Sequence, residues 1–102
     1  MLEMRPNCEL CDKDLPADKS GAMICSLECT FCASCNEAEL NNVCPNCGGG
    51  FVPRPIRPTQ DRRPGTSLEH QPASRERRHL KWTHENIDEF AASHRHIPPA
   101  ER

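Results

Sequence analysis

The sequence predicts a small α+β module over residues 1–52, then a disordered arm and a short amphipathic C-terminal helix. Two observations lead to that fold class. All eight cysteines of the 102-residue chain lie between Cys8 and Cys47, in four close pairs: Cys8/Cys11, Cys25/Cys29, Cys32/Cys35 and Cys44/Cys47. The same half of the chain has few large apolar residues, chiefly Leu10, Leu15, Met23, Ile24, Leu27, Phe31, Leu40, Val43 and Phe51. So small an oily core cannot by itself offset the entropy of ordering the backbone.

Written out, the cysteine pattern is C-x2-C-x13-C-x3-C-x2-C-x2-C-x8-C-x2-C. Two residues between thiolates let a tight turn aim both sulfurs at one point, which is half of a tetrahedral zinc site. Four halves make two closed four-cysteine sites, so two zinc ions are the expected cofactors. Disulfides are the competing reading for a cysteine-rich domain. Against them, the start MLEMRPNCEL has no apolar run of the kind that directs export. A reducing, cytoplasmic setting follows, where paired thiols serve metals. A structural zinc contributes about 10–16 kcal/mol of apparent binding free energy, which in such modules is folding free energy.

Taken in order, residues 1–7 form a short lead-in, and Cys8-Glu9-Leu10-Cys11 is the first knuckle. Asp12 to Gly21 reads as a polar loop with turn chemistry at Pro16 and Gly21. Ala22 to Cys25 suits a short strand or an extended return to the metal. From Ser26 to Cys35 the backbone must wrap tightly around metal. Ala33 to Leu40 favours helix, with Ser34 as N-cap, Glu37 closing a capping box, and Ala38 and Leu40 facing inward. Asn41-Asn42 ends that helix, and Val43 to Gly50 forms the last knuckle, whose glycines suit positive φ angles.

From Pro53 the composition changes. Prolines alternate with arginines, and residues 53–81 hold eight basic against three acidic side chains. Few apolar residues and frequent proline predict a disordered, partly polyproline-II linker. Near the end, Thr83 suits an N-cap, with Trp82 and Ile87 placed as a hydrophobic staple. Ile87, Phe90, Ala91 and His94 share one helical face over residues 82–97, and Pro98-Pro99 forbids continuation into the 98–102 tail. Such a helix is marginal alone. It can dock on the module, dock on a partner or stay unfolded, and the sequence does not choose. The five histidines, all in this half, read as surface residues.

Charge separates the halves. Residues 1–52 carry three basic against eight acidic side chains, and each four-thiolate zinc adds two further negative charges. That module repels phosphate backbones, which makes it a poor nucleic-acid binder. The basic stretch 53–81 is left with weak nucleic-acid contact at most, because no aromatic residue interleaves with its arginines. No apolar stretch is long enough to span a bilayer.

Two ligand pairings satisfy the spacing, one sequential and one interleaved. The eight-ligand order, the apolar Leu10 before the second ligand and the proline in Cys44-Pro45-Asn46-Cys47 resemble a RING finger, with Cys29 where many such domains have histidine. That resemblance implies a cross-braced arrangement, with Cys8, Cys11, Cys32 and Cys35 at site one and Cys25, Cys29, Cys44 and Cys47 at site two. It also implies partner contacts at Leu10, Pro45 and Leu40. The residues from Met1 through Gly49 further resemble a family of small bacterial proteins catalogued only as a domain of unknown function.

The expected role is a zinc-binding structural module for protein–protein contacts. Zinc held by four thiolates has no open position for chemistry, so no enzyme is expected. Two other readings stand beside it. One is RING-type ubiquitin-ligase-like activity, although only Leu40 stands between the sixth and seventh ligands, where that family usually has a bulky aromatic, and Gly48 replaces the basic residue after the last ligand. The other is a thiolate–zinc redox switch.

Overall fold

The computed structural model describes residues 1–102. Its centre is a three-stranded antiparallel sheet of β1 (Ala22–Ile24), β2 (Thr30–Cys32) and β3 (Val52–Pro53), in the order β2-β1-β3. β1 and β2 form a hairpin that pairs Ala22 with Cys32, Met23 with Phe31 and Ile24 with Thr30. β3 returns on the other edge of β1, placing Val52 opposite Ile24. β2 went unrecognised in the sequence because Cys29 just before it and Cys32 at its end read there as metal-wrapping loop.

The helix expected at residues 33–40 forms in an altered register. A single turn, α1 (Ala33–Cys35), widens into a π-helical stretch over Asn36–Leu40. Its N-cap is Cys32, whose sulfur accepts from the Cys35 N–H, and not Ser34. The wider turn rotates the faces. Leu40 becomes fully buried, while Ala38, expected to face inward, is exposed. Asn41 closes the stretch with φ 50° and its N–H on the Asn36 carbonyl, and Asn42 follows at φ 62°. Asparagine tolerates that left-handed geometry better than other side chains with a Cβ.

The core cluster has eleven buried residues, of which Cys8, Cys25, Cys29, Cys32 and Cys44 are five. Phe31 is its fully buried centre and meets Phe51 edge to face, at 5.4 Å and 73°. The third large contributor comes from far along the chain. Helix α2 (His84–His94), capped by Thr83 accepting from the Asn86 N–H, inserts Ile87 and Ala91 against the module. Of the fates open to this helix, the structure has it docked.

The structure does not separate residues 53–81 from the module, as their composition suggests. Arg54 is 5% exposed and donates to the carbonyls of Arg5, Leu15 and Pro16. Arg57 likewise reaches the carbonyls of Leu2 and Gln71. Composition counts an arginine as a solvated charge, whereas here its fork satisfies loop carbonyls that lack ladder partners. Asp61 anchors the following loop by accepting from the Gly65 and Ser67 N–H groups and meeting His70 at 2.7 Å. The Ser67 side chain, more than these N–H groups, holds its carboxyl pKa down at about 2. No helix is long and apolar enough to cross a membrane.

Candidate metal centre

The hairpin sets the geometry of the sulfurs. Cys25 and Cys29 stand at its turn, where the Cys25 N–H donates to the Cys29 carbonyl at 3.2 Å and Glu28 takes φ 68°. Cys32 ends β2. Along an extended strand three residues span about 10 Å, so Cys29 and Cys32 serve different ends.

At one end, the sulfurs of Cys8, Cys11, Cys32 and Cys35 all lie within 4.8 Å of one another. Cys11 Sγ and Cys32 Sγ are 3.8 Å apart. Thiolates about 2.3 Å from a tetrahedral ion are separated by about 3.8 Å, so the spacing fits a four-sulfur metal site. Each knuckle also points an N–H at its first sulfur, Cys11 N to Cys8 Sγ at 3.5 Å and Cys35 N to Cys32 Sγ at 3.4 Å. Such donors hold thiolates in place and reduce their charge.

At the other end, Cys25, Cys44 and Cys47 form a second group within the same distance. Leu27 N donates to Cys25 Sγ and Gly49 N to Cys47 Sγ, each at 3.4 Å. Cys29 is not within that mutual distance of all three. It borders them through Cys44, whose thiol donates to it and lowers the Cys29 thiol to about 5. Cys44 is raised in turn, first by that bond and then by burial, and burial lifts Cys25 to about 11. At the first group, burial raises Cys8 and Cys35. Cys32 is lowered although burial opposes it, because the Cys35 N–H and neighbouring thiols hydrogen-bond its sulfur. Thiols packed this closely divide their protons unequally, whereas a divalent cation holds them all as thiolates.

The two groups therefore alternate along the chain, and both consist of cysteine alone. Neither includes a histidine; His79 lies instead on Asp12 at 3.0 Å and His94 on the Phe90 carbonyl at 2.8 Å.

Three residues that build the site carried no motif. Glu9, an acid of the first knuckle, is only 6% exposed. One carboxylate oxygen accepts from Thr30 N at 2.6 Å and Arg5 Nη1 at 3.1 Å, and the other from Asn46 Nδ2 at 3.3 Å. A residue of the first knuckle thus holds the neighbours of Cys29 and Cys47. Asn7 is fully buried, and Arg54 braces the Asp12–Gly21 loop from below. A polar residue beside a knuckle was the available signal, but its partners are remote in sequence.

The residues expected to meet a partner are differently placed. Leu40 and Pro45 are buried and Leu10 is half-buried against the core. What covers this side is the chain itself: Leu80 packs on the cluster, and Trp82 Nε1 donates to Asn46 Oδ1 at 3.0 Å.

A family profile described as Protein of unknown function (DUF1272) matches residues 1–57, and the chain belongs to that family. An uncharacterized protein of Rhizobium meliloti (strain 1021) is 64% identical over 58 residues, which are 57% of this chain and 69% of the relative. No solved structure matches the chain. The matched stretch contains every cysteine together with Asn7, Glu9 and Arg54.

Proposed function

We propose that this family member is a two-zinc scaffold for protein contacts, with no catalytic role of its own. The observation that carries the reading is the four-sulfur group of Cys8, Cys11, Cys32 and Cys35, with a separation that suits tetrahedral coordination and N–H donors already on two of the sulfurs. All-sulfur donor sets favour zinc among the abundant divalent ions. At the second site Cys29 is the fourth ligand to Cys25, Cys44 and Cys47, and a small movement of the hairpin turn brings its sulfur in. The alternation of the groups supports the cross-braced arrangement. Four thiolates close the coordination sphere, so the ions hold shape and do not activate water. Eight free thiols suit a reducing compartment, the cytoplasm.

Native mass spectrometry tests this directly: two zinc ions per chain are expected. A chain that is folded and metal-free, or that binds only one ion, overturns it.

Exposure of Cys11 and Cys47 favours a second reading, a thiolate–zinc redox switch, since an oxidant reaches those sulfurs first. Zinc release on mild peroxide treatment and re-uptake after thiol reduction tests it. Ubiquitin-ligase-like activity gains no such support, because Leu40 and Pro45 lie inside the fold. A nucleic-acid arm gains none either, with Arg54, Arg57 and Arg77 donating to the chain's own carbonyls and carboxylates.

A further inference from the structure

Residues 74–82 lie along residues 4–9 in the same direction, as an added strand would. Ser74 N donates to Met4 O at 3.0 Å and Leu80 N to Glu9 O at 3.0 Å. Between them the side-chain amide of Asn7 takes both backbone groups of Arg78. Its Oδ1 accepts from Arg78 N at 3.1 Å, and its Nδ2 donates to Arg78 O at 2.8 Å. Asn7 is fully buried, so this is a built site and not a surface contact. Reading a passing backbone through both its N–H and C=O is how a sheet edge captures an extended peptide irrespective of sequence.

Side chains then add selectivity. Arg77 forks onto Asp14 Oδ1 at 2.7 Å and Asp12 Oδ1 at 2.8 Å, and also reaches the Asp12 carbonyl. Leu80 packs on the core cluster, and Trp82 reaches Asn46 while staying 43% exposed. Met4, Asn7, Glu9, Asp12, Asp14 and Asn46, which hydrogen-bond this segment, lie within the family-matched 1–57, whereas the segment itself lies outside it.

We propose that this face is a peptide-docking groove, occupied in cis by residues 74–82, whose partner is an extended segment of another protein with the pattern Arg-x-x-Leu-x-Trp. The groove selects by acid–base complementarity at Asp12 and Asp14, an apolar seat for the leucine and an acceptor for the indole N–H. The resident strand is displaceable because its charged clasp is exposed and screened by salt. The inference rests on the scaffold reading and supplies its partner class.

The probe is a fluorescent peptide of residues 74–83, added to the full-length chain carrying Arg77→Glu and Leu80→Asp, with zinc content measured on the same samples. A tethered strand competes at high effective concentration, so the double variant is expected to bind the peptide at least about tenfold more tightly than wild type. High salt or a further Asp14→Asn change, at an exposed position, should weaken that binding. A milder variant, Trp82→Ala with Arg77→Gln, repeats the test should the first lose its fold. A zinc-replete variant that ignores the peptide, or binds a scrambled one equally, overturns this inference and leaves the scaffold intact. Absence of zinc from wild type overturns the scaffold instead. Wild-type dimers that exchange the strand make a second copy the occupant, which also overturns it.

Discussion

The carboxylate of Glu9 accepts the backbone N–H of Thr30 at 2.6 Å, tying the first knuckle to the strand that separates the two sulfur groups. Its other oxygen reaches Asn46 in the last knuckle, so one buried acid serves both ends of the module. Arg5, at 3.1 Å, balances its charge.

Glu9→Gln preserves shape but removes charge and turns one oxygen into a donor facing donors. We expect a loss of about 1–3 kcal/mol in stability, the usual cost of a buried group left badly paired. The loss should fall on the second centre more than the first. Cadmium-113 spectra of the substituted protein check this: the resonance from Cys25, Cys29, Cys44 and Cys47 should broaden or vanish before the other.

Metal removal is expected to unfold the module and not merely loosen it, because cysteines make up five of the eleven core residues. Amide spectra recorded on adding a strong chelator should collapse, and zinc should restore them. Acid should do the same. The ligands are thiolates when metal-bound and thiols near pKa 8.5 when released, so binding expels protons and affinity falls as pH falls. A zinc-release curve that is flat with pH contradicts the assignment of thiolate ligands.

Arg54→Lys should cost about 1.5–3 kcal/mol, the worth of hydrogen bonds to a charged donor. One guanidinium spans the carbonyls of Arg5, Leu15 and Pro16, and a lysine ammonium, a point charge, cannot span all three. Arg54 is only 5% exposed, and that burial lowers its pKa. Urea denaturation of zinc-loaded protein measures the difference.

Ile87→Ala should cost about 2–4 kcal/mol and undock α2, since Ile87, with Ala91, carries its buried face. Metal content should stay unchanged, as no ligand comes from this helix. Hydrogen exchange should rise across residues 84–94 and stay low in the β1–β2 hairpin.

Local chemistry explains what could be read in advance. Thr83 caps α2 and Asn41 ends the π-helical stretch because each acts on backbone within a few residues of itself. Three of the sulfur pairs, Cys8/Cys11, Cys32/Cys35 and Cys44/Cys47, were legible for the same reason: their two-residue spacing is a local geometric requirement. Asn7, Glu9 and Arg54 were not, since their partners stand tens of residues away and nothing nearby in sequence announces them. The arm misled for a related cause. Its arginines look solvated until the carbonyls of the polar loop are in place to receive them.

Because the two sulfur groups interleave, no contiguous fragment contains one of them without part of the other. On a growing polypeptide the first group waits for Cys35 and the second for Cys47, so both close late in the module's synthesis. Until then the emerging thiols have no complete cage, and on the two-zinc reading proposed above a cell making this protein must keep them reduced and supplied with metal through that interval.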